Sequence, residues 1–210
     1  MTGTRPIIYF DIDNTLIETS SLISSIAIRL VSRGLAAEEF ESAVTNYYQN
    51  LDDTTNFDPQ ELITLLAQRS EIDPVIIEQE FYNPAHFVEA LFPEVVSTLE
   101  AVSTTHVLGI FSQGNHFWQE QKLSLSGIDR YFDPRLQLIS ERKLSEEDVR
   151  QLTNACTVID DKYSVITTLA SKRPDLQLFW LNRAAEEPVE ALAQTITQVT
   201  SLAEVIRKLT

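Results

Sequence analysis

Cysteine is nearly absent from this chain. The single Cys156 excludes an intramolecular disulfide and a cysteine-built metal cluster. No apolar run approaches the ~20 residues needed to cross a bilayer. Basic side chains are scarce, 16 Lys and Arg against 31 Asp and Glu, so the net charge is −15. Such a surface repels phosphate backbones and anionic lipid, and neither nucleic acid nor membrane is expected as a partner. The first residues, MTGTRP, run into an apolar strand without a basic stretch or a leader-like apolar segment, which predicts a cytoplasmic location. There is no internal repeat and no low-complexity segment. A soluble enzyme or binding protein is expected, monomer or homodimer, built as one large domain or one domain carrying an insertion.

The most informative stretch that is present is IIYFDIDNTL, residues 7–16. A short β-rich run, Ile7 to Phe10, reads as a buried strand, and the polar Asp13-Asn14-Thr15 ends it. Asp11 and Asp13 therefore sit together at a strand's C-terminal edge, where open α/β sheets bind ligands. Two like charges ~4 Å apart repel by about 4 kcal/mol at an effective dielectric of 20. One must take a proton, or a cation must lie between them. Hard oxygen ligands favour Mg²⁺ together with substrate phosphate. The pair thus suggests metal-assisted phosphoryl chemistry with one carboxylate as nucleophile. Taken alone, it fits a solvated turn equally well.

Helical spacing follows. Leu22, Ile23, Ile26, Ala27, Leu30 and Val31 share one face, and Phe40, Val44, Tyr47 and Tyr48 another. Asp58-Pro59 and Asp73-Pro74 are helix starts, the first with Glu61 placed to close a capping box. Residues 18–89 read as an all-helical unit of about four helices. Strands then alternate with helices: 106–111, 136–139, 156–160, 176–181 and a weak one at 196–199. Ser145 opens one helix, and Ser201 with Glu204 caps the last. Alternation of this kind implies a parallel sheet with helices on both faces. The predicted fold is α/β: a Rossmann-like parallel sheet core, residues 1–17 and 90–210, with an all-helical cap, 18–89, inserted after the first strand.

If the sheet is parallel, all strand C-termini share one edge. The second strand ends in Ser112-Gln113-Gly114, a hydroxyl, an amide and a glycine that lets backbone approach a phosphate. Lys143 follows the third and could neutralise phosphoryl charge. The fourth ends in Asp160-Asp161, costly beside the first pair without a cation, although Asp161 alone could cap the next helix.

In this order, Asp-x-Asp, Ser, Lys and Asp-Asp resemble the four motifs of the haloacid dehalogenase superfamily, in its phosphatase branch, over nearly the whole chain. DIDNTL matches the first motif, and the insertion point resembles that of the C1 helical cap. Only 30 residues separate Ser112 from Lys143, which leaves the alternative cap position empty. Two departures stand out. Ile159 precedes Asp160 where Gly is usual, with Ser164 at the place of a second acid, and Leu144 follows Lys143 where Pro is common. The resemblance implies that Asp11 is the nucleophile and forms an aspartyl-phosphate, with Asp13 as general acid and base. It implies Mg²⁺ on the Asp11 carboxylate, the Asp13 backbone carbonyl and Asp160. Asp161 would be a further ligand or orient Lys143, and Ser112, the Gln113 or Gly114 amide and Lys143 would hold the phosphoryl group. Haloacid dehalogenases lack the second aspartate and need no metal, so the resemblance argues against dehalogenation.

The insertion holds three arginines, no lysine and thirteen acids. That balance predicts a small phosphorylated metabolite with a neutral leaving group of nucleoside, sugar or polyol type, or a cationic one. Solvated helix faces would explain the same acids. His116 reads as a helix-start residue, Trp118, Tyr47, Tyr48 and Trp180 as packing, and Cys156 as a small buried hydrophobe. A phosphomutase and a non-catalytic phosphate- or partner-binding module are the competing functions.

Overall fold

A computed structural model describes residues 5–51, 57–188 and 192–209. Six strands form one fully parallel sheet: β1 (Ile7–Phe10), β2 (Val107–Gln113), β3 (Phe132–Ser140), β4 (Thr157–Asp160), β5 (Gln177–Leu181) and β6 (Ile196–Val199). Their order is β3-β2-β1-β4-β5-β6. β1 is central, which is why IIYF is apolar on both faces. Ile8 and Phe10 enter one core and Tyr9 the other. β5 alternates the same way, Phe179 and Leu181 against Leu178 and Trp180. The chain reverses direction across the sheet between β1 and β4, where a doubly wound sheet opens its crevice.

Helices α6 (Val95–Ser103), α7 (His116–Leu125) and α10 (Leu202–Leu209) cover one face. Helices α8 (Glu146–Gln151) and α9 (Tyr163–Lys172) cover the other. Gly109 is fixed by close approach: a Cβ there would lie 2.8 Å from the Leu136 carbonyl and from the Tyr9 ring. The third strand starts four residues earlier than its apolar run indicates. For α10, Glu204 accepts from the Thr200 N–H at 2.7 Å, so its carboxylate reaches one residue beyond the expected Ser201.

Between β1 and α6 the described residues form five helices rather than about four: α1 (Thr19–Ser32), α2 (Ala37–Gln49), α3 (Pro59–Arg69), α4 (Pro74–Phe81) and α5 (Pro84–Glu89). The short α5 begins with the same chemistry as α3 and α4, an Asn83 cap and Pro84 at the first position. Asp58 caps α3 by accepting from the Gln60 N–H at 2.8 Å. Its own N–H donates to the Tyr47 hydroxyl at 2.7 Å, so Glu61 closes no capping box. The two chain crossings into this helical unit run side by side. The Glu18 N–H donates to the Ala90 carbonyl, and the Phe92 N–H to the Leu16 carbonyl.

Candidate active site

The C-terminal sheet edge gathers the residues named from sequence. Asp11 follows β1, Ser112 and Gln113 end β2, Lys143 lies in the turn between β3 and α8, and Asp160 ends β4. Lys143 Nζ donates to Asp11 Oδ1 at 2.7 Å and to Asp160 Oδ2 at 2.5 Å. It is 2% exposed, Asp11 is 6% and Asp160 0%. An ammonium buried this deeply needs the two carboxylates around it. Burial works to lower its pKa, but Asp11 and Asp160 outweigh burial and hold it above the ordinary lysine value. Ser112 Oγ also donates to Asp11 Oδ1, at 3.1 Å. Both donors thus reach one oxygen of Asp11.

Asp160 and Asp161 are set apart by their partners. Asp160 Oδ1 accepts from the Lys162 N–H at 2.8 Å. The N-cap of α9 is Lys162, so Asp161 is not the helix cap that the sequence allowed. The Asp161 carbonyl is pinned by the Trp180 indole N–H at 3.0 Å, while its Oδ1 is buried without a hydrogen-bond partner. Burial, then the Asp11 and Asp160 charges, push Asp161 up to about 7. Asp11 rises to about 6, burial and the neighbouring Asp160 and Asp13 prevailing over Lys143. One oxygen each of Asp11, Asp160 and Asp161 lie within 4.8 Å of one another. Three carboxylates and an orphaned oxygen fit a hard divalent cation.

Asp13 belongs to a different environment. Its Oδ1 accepts from Thr19 Oγ1 at 2.6 Å and from Lys122 Nζ at 2.5 Å, and its Oδ2 from Gln119 Nε2 at 2.8 Å. Burial opposes its ionisation, but Lys122, then Thr19 and Gln119, hold its carboxyl below the usual range. The Asp13 side chain is therefore outside the acidic cluster of Asp11, Asp160 and Asp161. Sequence reasoning missed Thr19, Gln119 and Lys122. The one available signal was the spacing of Gln119 and Lys122, which shares a helix face with Trp118.

Asp13 opens onto a cleft of about 190 Å³ between the sheet edge and the helical unit, lined also by Leu22, Tyr48, Phe57, Trp118, Lys122 and Lys162. The Gly114 N–H already donates to the Ser140 carbonyl at 3.1 Å, so it is not an open donor; what Gly114 contributes is its φ of 145°. The Gln113 side chain donates to the Glu141 carbonyl at 2.9 Å. No acid of the described part of the insertion lines this cleft. Glu18, Glu38, Glu39, Glu41, Glu61, Glu71, Asp73, Glu78 and Glu89 are exposed, Asp58 caps α3, and the buried Glu80 pairs with Arg33 at 2.9 Å. Asp52 and Asp53 lie outside the described residues. The charge balance of the insertion therefore does not set the charge of the cleft. Trp118 packs against Phe57 and Phe87, Trp180 packs on Tyr163, and burial pushes the Cys156 thiol up to about 12. His116 is an exposed residue at the start of α7 beside Glu120.

A doubly wound sheet with a carboxylate–lysine–carboxylate centre at its C-terminal edge defines a hydrolase of α/β type. The profile of the haloacid dehalogenase-like hydrolases matches residues 8–155, and the chain belongs to that family. No curated protein sequence matches it. Similar solved structures include a haloacid dehalogenase-like hydrolase from Burkholderia xenovorans LB400, at 14% identity and a TM-score of 0.73 over 98% of this chain and 96% of that one. The HAD-hydrolase YfnB of Bacillus subtilis, solved bound to magnesium, is 16% identical with a TM-score of 0.62 over 99% of both chains. A 2-haloacid dehalogenase from Pseudomonas syringae pv. tomato DC3000 is 18% identical with a TM-score of 0.62 over 98% of both.

Proposed function

We propose that this hydrolase is a Mg²⁺-dependent phosphomonoesterase acting through an aspartyl-phosphate on Asp11. The observation that carries the reading is the division of the carboxylates. Asp11, Asp160 and Asp161 crowd together, whereas Asp13 stands apart at the cleft. Dehalogenation needs one nucleophilic carboxylate; an acid facing the leaving group is what ester cleavage adds. Asp11 attacks phosphorus, and the bond from phosphorus to the ester oxygen breaks. Asp13, held ionised by Lys122 in the free protein, takes up one proton as the ester enters beside it, gives it to that oxygen, then takes one from the water that hydrolyses the acyl phosphate. Ser112 and Lys143 move from Asp11 Oδ1 onto the phosphoryl oxygens they neighbour. Asp11, Asp160 and the Asp13 carbonyl, with Asp161 beside them, would hold Mg²⁺, which would supply neutralisation of the phosphoryl charge. The magnesium in the Bacillus subtilis relative supports the choice of ion.

The size of the cleft supports a small phosphorylated metabolite as substrate, with a leaving group of nucleoside, sugar or polyol type. The net charge of −15 supports a reading without nucleic acid. The test is phosphate release from an aryl phosphate, with and without Mg²⁺, by wild type and Asp11→Asn. Release that needs both metal and Asp11 is the expected result. Chloride release from 2-chloropropionate without phosphate release would make the protein a dehalogenase. Turnover of a hexose 1-phosphate to its 6-phosphate would make it a mutase, and ligand binding without turnover a binding module.

A further inference from the structure

Lys122 is an expensive residue at its position. Its side chain is 4% exposed, inside a helix whose neighbours Trp118 and Leu123 are core residues. An apolar side chain would fill that space without the cost of desolvating an ammonium. Among the described residues its carboxylate partner is Asp13, at 2.5 Å, and the centre of the Trp118 ring lies 5.8 Å away. Gln119, three residues earlier, shows the same bias. Its amide Nε2 donates both to Asp13 Oδ2 and to the Gln113 carbonyl, each at 2.8 Å, while its Oε1 is buried with no partner. Two buried polar side chains on one face of α7 thus converge on both oxygens of one carboxylate. Thr19, at the start of α1, adds a third donor.

Asp13 needs such a hold. It lies in a loop beyond β1, next to Asn14 with a φ of 56°, and no strand fixes its side chain. A misplacement of about 1 Å at a reacting group costs roughly 100-fold in rate. Resting on the phosphatase reading above, we propose that Lys122, seconded by Gln119, is a positioning residue that fixes the Asp13 carboxylate against the leaving-group oxygen. Lys122 acts through Asp13 and need not touch substrate.

The consequence is selective. An aryl phosphate expels a stabilised phenolate without a proton, whereas an alkyl phosphate expels an alkoxide that requires one. The experiment compares kcat/KM, which reports the steps up to ester cleavage, for p-nitrophenyl phosphate and β-glycerophosphate in wild type, Lys122→Met, Gln119→Leu and Asp13→Asn. General acid catalysis contributes about 10²–10⁴-fold. Lys122→Met is expected to lower the alkyl value about 100-fold and the aryl value less than about fivefold, in the pattern of Asp13→Asn. Lys122→Arg, which keeps the charge, is expected to recover part of the alkyl activity. Gln119→Leu leaves the ion pair and is expected to show the same selectivity at about tenfold, and it decides the matter if Lys122→Met does not fold. Equal losses on both esters, or none, overturn the proposal alone. A wild type that cleaves neither ester ends the phosphatase reading and this one with it.

Discussion

On the sheet side of the cleft, Asp11 and Asp160 are buried, each within 2.7 Å of the Lys143 ammonium. On the helical side, nine of the acids named above face solvent, and Glu80 is the buried one, paired with Arg33 and 3.6 Å from His86. The first arrangement concentrates charge where desolvation makes it strong; the second spreads charge where water screens it. Function therefore follows from a few charges whose surroundings are known, and a count of charges over a segment says little about its binding site.

Lys143→Met should produce the largest effect. It leaves Asp11 and Asp160 buried without their shared cation, and breaking a buried pair in this way costs about 3–5 kcal/mol. The melting temperature of the metal-free protein should fall more at pH 8 than at pH 5, where the stranded carboxylates can protonate. A variant as stable as wild type at pH 8 would show that the buried cluster is not charged as described.

Next in size is the linkage among pH, metal and stability. Folding raises Asp161 to about 7 and Asp11 to about 6 from an ordinary value of 3.8. The native protein thus binds more protons than the unfolded chain between about pH 4 and pH 7, so these two groups make metal-free stability fall as pH rises through that window. Mg²⁺ acts in the opposite sense. At a hundredfold excess over its Kd it should add about 2.7 kcal/mol. The added stability should be larger at pH 8 than at pH 5, because the ligands must lose their protons. A thermal-shift series with and without Mg²⁺ checks both slopes, and a larger Mg²⁺ shift at pH 5 would contradict the acidic cluster as the metal site.

What sequence could show divides along the same line as the charge. Asp11, Ser112, Lys143 and Asp160 were legible because each follows an apolar run short enough to be a strand, and a parallel sheet carries all such ends to one edge. Lys122 and Gln119 were not, because polar residues three apart on a helix ordinarily face water, and only packing reveals that this face turns inward. The acids of the insertion were not legible for the converse reason: composition carries no direction, and nine of the described ones face solvent. The helix α5 was missed at six residues, too short for a period to emerge, although Asn83-Pro84 repeats the start signal of its neighbours. Which of the Gln113 and Gly114 amides is open to a phosphate is hidden in sequence, because a strand end looks open until the register with Ser140 is known.

Arg183 joins the two sides. After β5 it donates to the Asn14 carbonyl at 3.2 Å and the Thr15 carbonyl at 3.0 Å, and pairs with Glu94 at 2.7 Å. Its guanidinium carbon lies 3.5 Å from the centre of the Phe92 ring. It thus ties the loop that carries Asp13 to the chain returning from the helices. Arg183→Ala should cost about 1.5–3 kcal/mol, the net worth of a single hydrogen bond to a charged group, since the partly exposed site lets water replace the other partners. Faster amide exchange should be confined to residues 14–18 and 90–94. Exchange rising equally over α2 and α3 would mean that the clamp stabilises the insertion as a whole rather than its two crossings.

The smallest effect is expected on the helical side. Glu38, Glu39 and Glu41 are all exposed at the start of α2, and none lines the cleft. Replacing all three by Gln removes three negative charges from the insertion while touching no packed side chain. Exposed substitutions of this kind usually change stability by less than about 0.5 kcal/mol. If leaving-group selection is set inside the cleft, the ratio of kcat/KM for β-glycerophosphate to that for phosphoglycolate should stay within about twofold of wild type at 0.15 M salt, where the screening length is about 8 Å. A ratio moving tenfold toward phosphoglycolate would mean that the outer acids repel anionic esters over a distance. The charge count of the insertion would then govern specificity after all.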